Sequence, residues 1–444
     1  MSEVKTPDSE AIREFLSRSR EETGNKKTYA IEVVTPMFGG GAQAGEVDES
    51  MPVRATEIRG HLRFWWRTLF GVNCENEESL FEKEKKIWGA TDLVSPITIS
   101  VKINADFSKK ICGDFRNNRW TWNNGLPKYA LFPFKPDRDE EKARIIPKKS
   151  YYLEGLSFTL SIEFPSQDEW KNNYQKELES TLWAWVNFGG LGARTRRGCG
   201  VLYCQDFSPE DADKFFDDCN KYLPRGFSKG SKIWNTIRKI IRIQYSDSIG
   251  ETWLNIIKYY QSFRQGTDFA RNPGSRDRPG RSRWPEAESI REITKQRNPK
   301  HYRLKDYPLD AFPRSVLGLP IITHFKNDSE DKKDPADSTL LPYFRGTLQT
   351  RMGSPLILKP LCLRDKKSAL PLIILFNREE PEKLALEVGN KKTHDIRGGR
   401  NAIRNPKFSS YADSPLKGSP EGDAVAACIE YIKEEFRKKR SSHV

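Results

Sequence analysis

The sequence lacks long apolar segments, paired cysteines and an abundance of histidine. No apolar run reaches the roughly 18 residues of a membrane-spanning helix, and the charged N-terminus MSEVKTPDSEAIREFLSRSR contains no apolar signal core. The seven cysteines are an odd number and form no CxxC pair, which argues against a disulfide framework and against a zinc ribbon. These absences predict a cytoplasmic protein with no membrane anchor, no metal and no cofactor.

Positive charge is what the sequence has in excess. Lysine and arginine number 75 against 61 acidic residues, which gives a net charge of +14 and a pI near 9.3. Such a balance attracts phosphates and makes binding depend on salt. With 444 residues and 51.2 kDa, the chain is long for one core, so we expect two or three domains.

The first half shows a regular alternation of strand and helix patterns. Alternating apolar residues predict strands, and apolar residues at a spacing of three to four predict helices. The predicted order is a strand at 28–36, a helix at 54–71, strands at 96–103 and 151–164, a helix at 168–188 and a strand at 198–207. This βαββαβ order is typical of a ferredoxin-like fold, the layout that the RNA-recognition motif shares, with 104–150 as an insertion.

The second half is less regular. The patterns predict helices at 253–263 and 423–440 and buried strands at 354–363 and 369–376. We therefore expect a second α+β domain, with the break near 208–230 and domains at 1–210 and 211–444.

The helix at 54–71, RATEIRGHLRFWWRTLFG, separates an apolar stripe from a basic row. Ile58, Leu62, Trp65 and Leu69 cluster as a core stripe, while Arg59, Arg63 and Arg67 form a row that Trp66 and Phe70 flank. The row has no acidic partner one turn away within the helix, and guanidinium groups suit bidentate phosphate contacts. The alternative is a solvated arginine face with both tryptophans packed inward.

His61 lies off both faces of this helix. Histidine can act as the base in metal-independent RNA cleavage. The sequence contains only five histidines, and none forms a recognisable catalytic pair with a neighbouring acid or nucleophile. A structural or surface role is the alternative.

A glycine-rich element, FGGLGARTRRGCG at 188–200, joins the second predicted helix to the fourth strand. Its glycines permit close backbone approach around Arg194, Arg196 and Arg197. The element follows a helix and precedes a strand, the reverse of the context of a P-loop or a dinucleotide-binding turn. A polynucleotide backbone is therefore a better ligand than a mononucleotide.

A third basic tract covers 264–303 and interleaves arginines with glycine, proline and serine. Trp284 lies among these charges and could stack on a base of bound RNA, near Arg281 and Arg283. A disordered, solvated loop is the alternative for this composition.

Together these elements resemble the RAMP superfamily of CRISPR-associated proteins. The turn GGLGARTRRGCG is similar to the glycine-rich loop of that superfamily. IRGHLRFWWR at 58–67 is similar to the hallmark of the first-named RAMP subunit of the type III-B Cmr effector complex. IEVVTPMFGGG, GRSRWPE, LGLPI and RMGSPLILKP add further similarity along nearly the whole chain.

The resemblance implies two ferredoxin-like domains, each an antiparallel sheet backed by helices. It also implies a non-catalytic subunit that contacts the 3′ part of a guide RNA and the single-stranded target RNA, beside other RAMP subunits. A metal-independent endoribonuclease using His61 and a purely structural assembly subunit are the alternatives. The candidate RNA-binding residues are Arg54, Arg59, His61, Arg63, Trp66, Arg67, Gly189, Gly190, Gly192, Arg194, Arg196, Arg197, Gly198, Arg281, Arg283 and Trp284. We expect the arginine row and the glycine turn to converge in one cationic trough.

Overall fold

Strands and helices are assigned from a computed structural model of the chain. It describes residues 25–41, 46–104, 106–116, 119–135, 150–231, 234–274, 280–301, 309–325, 334–389, 392–404, 406–411, 413–419 and 422–442. Predictions for the N-terminal 24 residues, and for those parts of the insertion and of the basic tract that fall in the gaps, lie outside the described residues.

The secondary structure mixes strands and helices throughout. The strands are β1 Asn25–Val33, β2 Thr98–Ile103, β3 Ser108–Arg116, β4 Arg119–Trp122, β5 Ser150–Glu154, β6 Ser157–Phe164, β7 Leu202–Cys204, β8 Ile237–Arg242, β9 Asp247–Ser248, β10 Arg271–Asn272, β11 Arg281–Ser282, β12 Ile321–Thr323, β13 Ser338–Phe344, β14 Thr347–Leu348, β15 Leu356–Cys362, β16 Ser368–Phe376, β17 Lys383–Val388 and β18 Lys392–Asp395. The helices are α1 Ala55–Phe70, α2 Glu77–Trp88, α3 Lys128–Leu131, α4 Asp168–Trp170, α5 Lys176–Phe188, α6 Ala212–Tyr222, α7 Ile249–Gln265, α8 Glu286–Thr294, α9 Arg400–Ile403, α10 Pro406–Ser410 and α11 Ala424–Ser441.

The chain divides into two compact units. The first comprises Met1–Leu126, Pro133–Arg238 and Leu361–Ala369, and the second comprises the remaining segments. The first unit thus continues past residue 210, where the sequence places the domain boundary, and that boundary stays a prediction.

The main sheet of the first unit has the strand order β2-β6-β1-β7, and its neighbouring strands are antiparallel. The chain passes through β1, α1, β2, β6, α5 and β7 in sequence, so the order and the pairing are those of the ferredoxin-like βαββαβ motif. The fold class is therefore α+β, with antiparallel sheets backed by helices. Both Phe158 and Cys204 pair with Ile31, which makes β1 a central strand.

One face of this sheet is apolar, because strand side chains alternate between the two faces. Alternate residues of β6 from Phe158 to Phe164 are buried, as are Tyr29, Ile31 and Val33 of β1. The predicted core stripe of α1 is confirmed, since Ile58, Leu62, Trp65 and Leu69 are all buried. Burying each such side chain stabilises the fold by about 1.5–3 kcal/mol.

Two predicted elements are divided. The strand predicted at 151–164 is wrong as a single element, because Gly155 has φ +79° and separates β5 from β6. Strand β5 joins β3 and β4 in a separate three-stranded sheet made from the insertion. The helix predicted at 168–188 is regular only from Lys176, after α4 and a π-helical turn at Lys171–Gln175.

The second unit contains two larger sheets. One has the order β12-β13-β17-β18 with β14 paired to β13, and the other has the order β15-β16-β8 with β9 paired to β16. The predicted strands at 354–363 and 369–376 are β15 and β16, and the predicted helices are α7 and α11. The succession β8, α7, β15, β16, α11 repeats the first five elements of the βαββαβ order. Across the described ranges, no helix combines the length and the apolar character needed to cross a bilayer.

Candidate nucleic-acid interface

The glycine turn at 188–200 lies against the segment that follows β1. The Ala193 amide donates a hydrogen bond to the Phe38 carbonyl at 2.7 Å, and the Gly200 amide donates to the Pro36 carbonyl at 3.0 Å. Main-chain bonds of this kind leave the turn little freedom. The glycine turn and the glycine-containing segment after β1 are therefore held together as one rigid edge beside β1 and β7.

The glycines of this turn are required for close packing. A Cβ on Gly192, whose φ is +75°, would lie 2.4 Å from the Phe38 carbonyl oxygen. A Cβ on Gly189 would lie 2.5 Å from the Trp185 carbonyl oxygen, and one on Gly190 would lie 2.7 Å from a main-chain oxygen. With Gly198, which is left-handed at φ +75°, these positions form the turn, and their predicted contact with RNA stays a prediction.

The three arginines of the turn have different environments. Arg194 is exposed and left-handed, with φ +63°, and Arg196 is half-buried in the short 3₁₀ turn Thr195–Arg197. Arg197 is buried, and its guanidinium donates to the Arg196 carbonyl at 2.9 Å. Burial of Arg197 argues against its predicted phosphate contact, whereas Arg194 and Arg196 remain candidates.

Two members of the α1 row bind a buried carboxylate. Glu84 of α2 is 2% exposed. It accepts hydrogen bonds from Arg63 Nε at 2.6 Å and from Arg67 Nε and Nη2, both at 2.7 Å. The arginine row has no acidic partner within α1, and the carboxylate that pairs with Arg63 and Arg67 comes from α2. These contacts argue against the predicted phosphate-binding role of Arg63 and Arg67, because their guanidinium groups hold α1 to α2.

Arg59, the third member of the row, braces the loop between α2 and β2. It donates to the Trp88 carbonyl at 3.2 Å, to Ser95 Oγ at 2.6 Å and to the Ile97 carbonyl at 2.8 Å. Burial, together with neighbouring Arg63, lowers the pKa of Arg59. These contacts give Arg59 a structural role and argue against the predicted phosphate role, because three of its N–H donors already have acceptors within the chain.

Trp66 is a candidate residue that would stack on RNA or support its groove, and the structure argues against stacking. Its ring is 2% exposed, and its Nε1–H donates to Glu177 Oε2 at 2.7 Å. Burial raises the pKa of Glu177, although the bond from Trp66 opposes that rise. A base cannot stack on an indole whose faces are covered by the core.

Arg59 and the glycine turn lie on different sides of α1, and Arg63 and Arg67 bind Glu84, which together argue against the predicted single trough. Glu57 Oε1 accepts from the Gly192 amide at 3.4 Å, and His61 Nε2 lies 3.6 Å from the same oxygen. An α-helix advances about 100° per residue, which places Arg59 roughly 200° around the axis from Glu57. Burial opposes ionisation of Glu57, but His61 and the Gly192 amide lower its pKa.

His61 thus belongs with the glycine turn. Its side chain is 29% exposed, and its ring stacks on Trp185 with centroids 6.4 Å apart. The carboxylate of Glu57 one turn earlier is the neighbouring acid that the sequence analysis did not recognise. The spacing of four residues within one helix was the available signal.

The basic tract of the second unit is folded where it is described. Arg281 pairs with Glu288 at 3.1 Å, and Arg283 pairs with Asp413 at 3.0 Å. Trp284 is 1% exposed, and its Nε1–H donates to the Phe263 carbonyl at 3.1 Å. The stacking role of Trp284 is wrong, and the carboxylates argue against phosphate contacts by the two arginines. The predicted arginines at 276, 278 and 303 lie outside the described residues.

Arg54 precedes α1 and forms an ion pair with Asp48. It lines a depression of about 520 Å³ with Gly40, Gly41, Glu46, Val47, Asp48, Glu49 and Ser50. Three carboxylates in this lining make it unfavourable for a phosphate, so RNA contact by Arg54 stays a prediction. In the described part of the chain, no group of three or more His, Cys, Asp or Glu side chains is arranged to hold a metal ion.

Glu84 changes the interpretation of the arginine row more than any other residue, and its role was not predicted from the sequence. It lies in EESLFEKEKKIW among other charges, yet Leu80, Ile87 and Trp88 at helical spacing are buried on its side of α2. A carboxylate placed on the apolar stripe of a helix indicates a buried partner. That pattern was the signal for the arginine cluster.

Comparison with known proteins adds independent information. The family model described as the RAMP superfamily matches residues 30–203. The CRISPR system Cmr subunit Cmr1-2 of Pyrococcus furiosus is 30% identical over 188 residues, which cover 40% of this chain and 94% of that protein. Cmr1-1 of the same organism is 28% identical over 155 residues, which cover 34% of this chain and 40% of that protein. The crystal structure of apo Cmr1 from Pyrococcus furiosus aligns with a TM-score of 0.47 and 17% identity, covering 85% of this chain and 96% of that chain.

Proposed function

Because the chain belongs to the RAMP superfamily and, within it, to the Cmr1 family, we propose that it is a non-catalytic RNA-binding subunit of a type III-B CRISPR ribonucleoprotein. In that particle it contacts the 3′ part of the guide RNA and the target RNA, beside other RAMP subunits in the cytoplasm. The observation that carries the proposal is the rigid turn that contains the exposed Arg194 and the half-buried Arg196.

Preorganisation supports this assignment. Main-chain bonds from Ala193 to Phe38 and from Gly200 to Pro36 hold the turn before any ligand arrives. A strand of RNA that meets such a turn loses little free energy to ordering of the protein. The glycines contribute to this rigidity, because they allow the turn to pack closely against the main chain around it.

Charge supports the same assignment. Arg194 and Arg196 place two guanidinium groups within three residues, in a chain whose net charge is +14. The nearby carboxylate of Glu57 is held by the Gly192 amide and by His61. Each phosphate contact to a single strand contributes about 0.7 to the dependence of log affinity on log salt.

The test is the double substitution Arg194→Ala with Arg196→Ala in the assembled complex. We expect weaker binding of target RNA and a salt slope smaller by about 1.4, which is two contacts at about 0.7 each. The matched control is Lys26→Ala with Lys102→Ala, which removes the same charge from exposed sheet positions. Equal slopes in wild type and in the arginine variant, with no RNA crosslinks in 188–200, would favour a purely structural subunit.

A second function, RNA cleavage with His61 as the base, has one observation in its favour. His61 is partly exposed beside the glycine turn, and its Nε2 lies 3.6 Å from the carboxylate of Glu57. Incubation of the purified protein with end-labelled guide RNA in EDTA tests this function. We expect intact RNA, and cleavage that His61→Ala abolishes would overturn the non-catalytic assignment.

A further inference from the structure

The loop between α2 and β2, residues 89–97, is held more rigidly than its exposure suggests. Arg59 cross-links its two ends through the Trp88 and Ile97 carbonyls and through Ser95 Oγ. At its tip, the Ala90 amide donates to the Leu93 carbonyl at 2.8 Å. A loop fixed in this way presents the same surface at all times.

That surface is apolar. Val94 is 84% exposed, Phe81 of α2 is 45% exposed and Leu93 is 42% exposed. We call these three residues the α2 patch. Large apolar side chains displayed together on a fixed scaffold are typical of an interaction site, because each loses free energy by contact with water.

A single lysine links the members of the patch. Lys85 Nζ lies 5.8 Å from the centre of the Phe81 ring and 3.6 Å from Asp92, the residue before Leu93. It also pairs with Glu82 at 2.9 Å. The helix side and the loop side of the patch are therefore parts of one surface.

The charge around the patch is negative, in contrast to the chain as a whole. Glu77 and Glu78 are exposed one turn before Phe81, and the side chains of Glu82 and Asp92 are 49% and 65% exposed. Lys85 pairs with Glu82 and Asp92, and the exposed Lys83 and Lys86 lie roughly 200° and 140° around the helix from Phe81, so acidic side chains remain in excess at the border. A phosphate backbone is repelled by this border, whereas a protein surface with an apolar pocket and a basic rim is complementary to it.

We propose that the α2 patch docks a neighbouring protein subunit of the ribonucleoprotein through an apolar pocket with a basic rim. This proposal rests on the proposed function, since it takes the chain to be part of a multisubunit particle. It also gives Arg59 a role as a positioning residue that holds Leu93 and Val94 in place for the partner.

The first experiment co-expresses the chain with the other protein subunits of its own CRISPR system and measures assembly by co-purification. Leu93→Asp with Val94→Asp is expected to reduce affinity for those subunits at least about tenfold, because buried apolar anchors dominate such interfaces. The matched control, Gln349→Asp with Thr350→Asp, adds the same charge at two adjacent exposed positions and is expected to assemble like wild type. Equal assembly of the patch variant and wild type would overturn the proposal.

The second experiment reverses the charge of the border with Glu77→Lys, Glu78→Lys and Glu82→Lys. A basic-rimmed protein partner predicts weaker assembly with the other protein subunits. Crosslinks between guide RNA and the α2 patch in the wild-type complex would mean that RNA is the occupant and would overturn the proposal. Sedimentation of the chain alone tests for a second copy, and a dimer that Leu93→Asp abolishes would also overturn it.

These outcomes separate the two proposals. If Arg194→Ala with Arg196→Ala weakens RNA binding while the patch variant assembles normally, only the docking surface is rejected. If the wild-type chain joins neither the subunits nor the RNA, the proposed function itself is rejected.

Discussion

Replacing Glu84 by glutamine removes the one negative charge that holds Arg63 and Arg67, while keeping the size of the side chain. Breaking a buried ion pair by removing one partner costs about 3–5 kcal/mol. Here the arginine side chains are 32% and 28% exposed, so water replaces part of the lost interaction. We therefore expect the free energy of unfolding of the first unit to fall by about 2–3 kcal/mol.

Urea denaturation followed by tryptophan fluorescence measures this change, since Trp66 and Trp88 are buried in the elements that Glu84 joins. The matched control is Glu82→Gln on the same helix, whose side chain is 49% exposed and whose effect should stay within about 0.5 kcal/mol. The reasoning would be refuted by unchanged stability of Glu84→Gln together with tighter RNA binding. That result would mean that the released arginines are a phosphate-binding face.

Three further substitutions test the packing of glycines in the first unit and the ion pairs of the second unit. Gly192→Ala should destabilise the chain by about 2 kcal/mol, because residue 192 has a left-handed backbone and the added Cβ would lie too close to the Phe38 carbonyl oxygen. Gly60→Ala should stabilise α1 by about 0.5–1 kcal/mol in the same denaturation assay, because a Cβ at position 60 would have no atom within 4 Å and alanine favours the helix. If Gly60→Ala were more destabilising than Gly192→Ala, the packing argument would be contradicted. Burial opposes ionisation of Glu288, but Arg297 and the other arginines around it lower the pKa of Glu288 below 4.5. The ionised Glu288 therefore stabilises the fold above pH 4.5, and this stabilisation is lost as the pH falls through the lowered pKa. On acidification, the Glu288→Gln variant should therefore lose less stability than wild type, as measured by thermal unfolding. Equal losses in the two proteins would contradict the stabilising role given to ionised Glu288.

The regular elements were largely predictable from the sequence, because they depend on local periodicity. The helix predicted at 54–71 is Ala55–Phe70, and the helix predicted at 423–440 is Ala424–Ser441. The strand predicted at 369–376 is Ser368–Phe376, since a continuous apolar run indicates burial on both faces. The βαββαβ order of the first unit followed from these local patterns.

The roles of the site residues were less predictable, because they depend on partners distant in sequence. Arg67 and Glu84 are 17 residues apart, and Trp66 and Glu177 are 111 apart, so no window of helical periodicity contains both members. An arginine row without an acid in its own helix predicts a phosphate-binding surface, whereas in the structure a neighbouring helix supplies the acid. Whether such a row faces solvent or pairs with a carboxylate of another helix depends on how the fold packs the helices.

The position of α1 between two surfaces has a consequence for how this segment can change in length. Glu57 faces the glycine turn and Arg59, two residues later, faces the loop that carries Leu93 and Val94. Inserting or deleting one residue between them would rotate everything downstream by about 100°. Either Glu57 or Arg59 would then turn away from its loop, so the residue count between them has to be kept for both loops to stay anchored.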